Sequence, residues 1–249
     1  MPDAKKLVDE TADSIAAYGR YLATSFGGRV AETAGVVMCD AGLAWRARNM
    51  VVPLRSLDGE VCRDLADRLI EFYGSRDRWV LWSTYPIDLD TNDFRLAETH
   101  AVMTRFAENV QRASDVPGLS IEEVADDDGV RLFEQVRQTA DVYPPEYDPA
   151  PGRFFDARVL GKDHRLWLGY VDGEPVATAA AFHHDHVNLI KNVSTAAAYL
   201  GRGIAQVMSD HAVRSTEKRP ILDSSDSGAP VYRKLGFEEI GRVQFWTMT

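Results

Sequence analysis

The spacing of apolar residues changes along the chain, and each change marks an element. Residues 187–195 are rich in β-branched and apolar residues and read as a buried strand. Past residue 203, Ile204, Val207, Met208, His211 and Ala212 recur at helical spacing. Between the two lies Leu200-Gly201-Arg202-Gly203-Ile204-Ala205. A strand, a glycine-rich loop and a helix make an arrangement that binds phosphate. Glycines let backbone N–H groups turn toward one point, and the helix start adds partial positive charge there.

The rest of the pattern predicts a strand-rich chain. Residues 121–124 read as a strand and residues 126–128 as the cap of a helix carrying Val130, Leu132, Phe133 and Val136. Residues 164–170 and 175–182, around Asp172-Gly173, read as an antiparallel hairpin, and 220–224 as a further strand. A last apolar strand ends in Phe245-Trp246. In the first half, a helix over residues 3–23 is closed by Gly27-Gly28. Residues 29–39 read as one strand, and 44–48 and 50–54 as strand pieces. A helix capped by Asp58 runs to residue 72, and 79–83 and 94–106 read as strands.

Two tails of the chain look alike. Residues 79–84 align with 220–225, and 94–106 with 237–249. The identities are few, a hint of an internal repeat. The length of 249 residues suits two domains, which we place at 1–113 and 114–249, joined by a polar linker with Pro117-Gly118. The first-half counterpart of the glycine loop, Pro53-Leu54-Arg55-Ser56-Leu57, has no glycine, so that half reads as structural.

The order of the second-half pieces resembles the GNAT superfamily of N-acyltransferases. That family's loop is Arg/Gln-x-x-Gly-x-Gly/Ala, matched by Gly203 and Ala205, with Leu200 at the Arg/Gln position. Its late helix carries Tyr-x-x-x-Gly-Phe, matched by Tyr232, Gly236 and Phe237. The resemblance covers residues 120–249. It implies an α+β fold of two GNAT-like domains, each a mixed, mainly antiparallel sheet flanked by helices, the first one degenerate. It also implies acyl transfer, acetyl foremost, from acyl-coenzyme A to an amine of a small molecule by direct attack in a ternary complex. Alternatives are a carrier-protein pantetheine donor, a hydroxyl acceptor, or a GNAT-like binding module without catalysis. Leu200 favours the last.

Charge narrows the partners. The formal net charge is −10, without a basic run, so nucleic acid is not expected. No apolar run reaches the roughly 20 residues that span a bilayer, and no signal peptide is evident, so the expectation is a cytoplasmic protein without membrane contact. Cys39 and Cys62 lack metal spacing and read as reduced thiols.

Acyl transfer needs the coenzyme held, the carbonyl polarised, and protons moved from the nucleophile and to the thiolate. The resemblance assigns coenzyme binding to Leu200, Gly201, Arg202, Gly203, Ile204 and Ala205, with main-chain groups of Val193, Ser194 and Thr195 beside pantetheine. It assigns thiolate protonation to Tyr232, whose alternative is packing of the last helix. Candidates for the base are His184, within His183-His184-Asp185-His186, and Asp223; no metal is expected. Asp226 and Asn192 are candidates for holding the acceptor. So are Tyr143, Tyr147 and Phe155, in an aromatic, proline-rich stretch that reads as a pocket wall or a hydrophobic plug.

Overall fold

A computed structural model of the protein describes residues 3–43, 46–57, 59–87, 89, 93–140 and 155–248. The chain divides into two compact units, Met1–Val102 with Ile240–Thr249, and Met103–Glu239. This division differs from the one drawn at residues 113 and 114. Residues just past 102 bond within the second unit: the Thr104 hydroxyl donates to Pro220 O at 2.7 Å, and the Gln111 N–H to Leu235 O at 3.4 Å.

The first unit opens with helix α1 (Ala4–Ser25), capped by the Asp3 carboxylate, which accepts from the Lys5 N–H. Strands β1 (Arg29–Thr33) and β2 (Val36–Asp40) follow. The single strand expected over residues 29–39 is thus a hairpin. Its turn, Ala34-Gly35, has positive φ at both residues (51° and 78°), the twist that two-residue hairpins require. An alanine there hides the turn from a sequence reading. Residues Arg46–Arg48 form a 3₁₀ helix where a strand piece was expected, with the neighbouring residues 44 and 45 outside the described set. Asn49 enforces the change: its buried side chain accepts from Ala41 N–H and donates to Leu43 O and Arg78 O.

Strand β3 (Met50–Pro53), helix α2 (Gly59–Tyr73) and strand β4 (Val80–Ser83) come next, then β5 (Phe94–Thr104). The order in this unit is β1-β2-β3-β4, then the chain's last strand β11 (Glu238–Met248), then β5. β3 and β4 are parallel; β1–β2, β2–β3 and β4–β11 are antiparallel. One core cluster lies between α2 and this sheet, built on Leu65, Leu69, Tyr73, Trp79, Leu81 and Trp246.

The second unit contains β6 (Leu119–Glu123), α3 (Asp127–Ala140), β7 (His164–Val171), β8 (Glu174–His184), β9 (Val187–Thr195), α4 (Ile204–Val213), β10 (Arg219–Ser224) and α5 (Ala229–Arg233). Its strand order is β10-β9-β8-β7-β6, antiparallel except for the β9–β10 pair. Helices α3 and α4 pack on β7, β8 and β9. Each unit is a mixed, mainly antiparallel sheet flanked by helices, an α+β architecture. In each, the parallel join falls at the strand singled out by the repeat, β4 or β10.

The Tyr73 hydroxyl ties the first unit together, reaching Cys39 O (3.2 Å) and Met50 O (3.0 Å), residues paired across β2 and β3. Burial drives the pKa of Tyr73 well above the usual phenol range and that of Cys39 up to about 12. We expect Tyr73→Phe, which keeps the ring, to lose about 1–2 kcal/mol in urea unfolding, the worth of a buried hydroxyl's bonds.

Candidate functional site

The second unit's β9 occupies the residues expected of it, 187 to 195, but it is not regular. Its pairing with β8 runs from His184↔Val187 to Ala180↔Lys191, then slips, resuming at Thr178↔Ser194. Asn192 and Val193 together oppose one residue, a β-bulge. Asn192 carries it in the left-handed region (φ 51°), which asparagine tolerates better than most residues. The Thr178 hydroxyl fixes the bulge by donating to Asn192 O at 2.8 Å. On the other side, parallel pairing with β10 covers four residues, Val187–Ile190 against Arg219–Leu222, and stops although both strands continue. The two strands part at the bulge.

The loop after β9 leads into α4. Gly201 and Gly203 have φ of 76° and 83°. Space is not the constraint at Gly203: an added Cβ would meet nothing closer than 3.6 Å. The backbone conformation selects glycine. With it, the N–H groups of Gly201, Arg202, Gly203, Ile204 and Ala205 have no acceptor among the described residues. Five consecutive donors at the start of a ten-residue helix are a cradle for an anion. Beside them, the Arg202 guanidinium lies 4.7 Å from the ring centre of Tyr199, whose hydroxyl donates to Glu174 at 2.8 Å. Leu200 is 64 % exposed and packs on little. Asn188, a residue without a sequence signal, holds α4 in place by donating to Ala212 O and Val213 O from β9.

The other expected site residues divide. Asp223 stands on β10 one residue past the end of the pairing, and Lys191 stands opposite on β9. The two form an ion pair with side chains only 13 % and 7 % exposed. The expectation of a carboxylate waiting for a proton or an ammonium group is therefore corrected: Asp223 is bound to a lysine of the chain. The signal was present as a lone lysine in an apolar strand and an aspartate closing the next one.

His184 ends β8, half-buried, stacked on Phe182 and 3.5 Å from Asp185. Its partner Val187 is five residues from Asn192, roughly 16 Å along the strand. The structure does not bring His184 to the bulge. Neighbouring His183 bonds Ser215 Oγ at 3.1 Å, and burial, then Lys218, pulls its pKa down. Phe155 is 4 % exposed, its N–H donates to Glu134 at 2.6 Å and its ring meets His164 edge-on, so it fills the core as a plug instead of lining a wall. Asp226 is exposed in the turn after β10. Tyr143 and Tyr147 lie outside the described residues. Tyr232 is on α5, half-buried, its ring 5.9 Å from that of Phe237, and α5 packs against α4. Among the described residues no cluster of three histidine, cysteine or acidic residues is placed to hold a metal ion, and no helix is long and apolar enough to cross a membrane.

Removing one partner of a buried ion pair leaves an uncompensated charge, which costs about 3–5 kcal/mol, whereas an apolar replacement of both is often tolerated. We expect Lys191→Met to lower unfolding free energy by roughly 3 kcal/mol, and Lys191→Met with Asp223→Leu to regain most of it, read by urea denaturation.

Comparison with known proteins agrees with this geometry. Residues 162–239 match the family model described as acetyltransferase (GNAT) domain, and both the match and the second unit end at Glu239. No curated protein matches the chain in sequence. Several solved structures share its fold over nearly the whole length. A GCN5-related N-acetyltransferase from Kribbella flavida superposes with a TM-score of 0.73 at 17 % identity, covering 97 % of this chain and 95 % of that one. One from Sphaerobacter thermophilus gives 0.56 at 14 % identity, covering 96 % and 93 %. A GCN5-related N-acetyltransferase-like protein from Streptococcus suis gives 0.54 at 14 % identity, covering 96 % and 99 %. Residues 162–239 are thus similar to a GNAT acetyltransferase domain, and the chain shares the fold of these solved structures over nearly its whole length.

Proposed function

We propose that the second unit transfers an acyl group, acetyl foremost, from acyl-coenzyme A to an amine of a small molecule by direct attack in a ternary complex. The observation that carries this reading is the row of N–H donors from Gly201 to Ala205, placed beyond a strand that has parted from its neighbour. Pyrophosphate takes the cradle. Main-chain groups of Thr195, Ser194 and Val193, on the side of β9 that β10 has left, would hold pantetheine, with the bulge as the place for the thioester. A β9 main-chain N–H near Asn192 polarises the carbonyl, a donor that needs no particular side chain.

Tyr232 is the general acid in this reading. A phenol with pKa near 10 suits a thiolate whose conjugate acid has pKa roughly 8–9. The base is not His184, which stands far along β8, nor Asp223, which holds Lys191. The attacking amine gives its proton to water. The first unit is read as a degenerate second copy, since the residues after β3, 54 to 57, offer no glycine to turn N–H groups outward. A second reading, a GNAT-like module that binds without catalysis, is favoured by exposed Leu200 at the loop position where the family carries Arg or Gln.

Calorimetry with acetyl-coenzyme A tests the cradle. Aspartate tolerates the left-handed region better than most residues, so Gly203→Asp chiefly adds a like charge. Losing one or two hydrogen bonds to a charged group, at ~1.5–3 kcal/mol each, weakens binding by at least ~10-fold. Unchanged affinity in the folded variant would remove the loop from the mechanism. With an acceptor identified by thiol release, Tyr232→Phe should lower kcat by about 10²-fold, with coenzyme affinity nearly unchanged and a smaller loss for an activated thioester. Full turnover on the natural donor would leave Tyr232 as packing, and absence of transfer to any amine from a bound coenzyme would favour the binding module.

A further inference from the structure

Arg105 lies just past β5, with a side chain only 5 % exposed. Its Nη1 stands 3.2 Å from Gln111 O, 3.3 Å from Leu235 O and 3.4 Å from Asp210 Oδ1. The three acceptors come from the segment before β6, the turn after α5 and the second half of α4. Neutralising Asp210 does not by itself require Arg105, because Arg214 Nε and Arg112 Nη1 also approach that carboxylate, at 3.3 Å and 3.8 Å. What Arg105 adds is a bridge from α4 to the carbonyl of Leu235.

That turn is packed too closely to shift alone. Gly236 has φ of 85°, and a Cβ there would stand 1.7 Å from Asn109 O. Asn109 in turn bonds the Glu238 carboxylate. The Arg105 guanidinium also lies 5.7 Å from the ring centre of Phe237, whose ring meets that of Tyr232 edge-on. Tyr232 O accepts the N–H groups of Leu235 (2.9 Å) and Phe237 (3.1 Å). Helix α5 has only five residues, too short to hold its own geometry. Its orientation comes from what the following turn is tied to.

The geometry points to Arg105 as a positioning residue: by tying residues 235 to 237 to Asp210 of α4, it sets where the Tyr232 hydroxyl stands relative to the coenzyme. This rests on the reading of Tyr232 as the general acid. A lysine would keep the charge beside Asp210 but lacks the planar guanidinium that lies against the Phe237 ring.

The test is ¹⁹F NMR of the full chain labelled with 3-fluorotyrosine, with coenzyme A as the probe and Tyr232→Phe identifying the Tyr232 line. In the wild type, saturation with coenzyme A should move that line. Arg105→Lys should bind coenzyme A within ~3-fold of wild type by calorimetry, a difference of under ~1 kcal/mol, yet lose at least half of the shift. Arg112→Ala, which removes only an exposed contact to Asp210, should keep the shift in full. Should Arg105→Lys not fold, Arg105→Gln takes its place with the same expectation. A shift of wild-type size in the folded Arg105 variant overturns the inference. A wild-type line that ignores bound coenzyme A overturns the acid reading and this inference together. Failure of wild type to bind coenzyme A overturns both through the cradle.

Discussion

The second unit depends on a strand that is made to stop pairing. Parallel neighbours tend to continue, since each further residue adds backbone hydrogen bonds at little added entropy. Here β9 and β10 part after four residues because the bulge at Asn192 turns β9 away while Thr178 holds the extra residue in register with β8. The first side chains past the divide would otherwise face each other across an opening strand pair. Lys191 and Asp223 fill that position as an ion pair. A pair of apolar side chains would pull the strands together there, and a single charge would not stay buried unpaired. The parting is thus built from an irregular backbone and a matched pair, while Asn188 pins the C-terminal end of α4 to β9.

Much of this was legible in the sequence, for identifiable reasons. The run from residue 187 to 195 is apolar and β-branched enough to mark its own ends, and Gly203 with helical spacing behind it marks the start of α4. The bulge was not legible, because a bulge is a relation between two strands, and Asn192 alone looks like a polar residue in a sheet. The two-residue turn at Ala34-Gly35 failed for a related reason: alanine in the left-handed region is dictated by the hairpin around it, not by its own preference.

The site residues divide along the same line. Glycines and loop positions report backbone needs, which are local: Gly201 and Gly203 take positive φ just before α4. Side-chain roles for Asp223, His184 and Phe155 depended on what stands opposite, and in each case that neighbour decided the outcome: Lys191 for Asp223, the far end of the hairpin for His184, Glu134 and His164 for Phe155. The buried arginine just past β5 escaped notice because its acceptors come from residues 111, 210 and 235, which nothing in the local pattern connects.

On the proposed reading, a chain with net charge −10 would bind the polyanion coenzyme A against its own field. Ionic screening at physiological strength confines that field to about 8 Å, so distant carboxylates matter little and the immediate surroundings of the phosphates decide. There the chain presents backbone dipoles from residues 201 to 205 and the Arg202 guanidinium held over Tyr199. Dipoles of this kind have fixed direction and carry no counter-charge that must be desolvated on binding. They are also insensitive to which side chain occupies position 200. On that reading, a loop with exposed Leu200 where the family carries Arg or Gln would lose one side-chain contact and keep its backbone donors for phosphate.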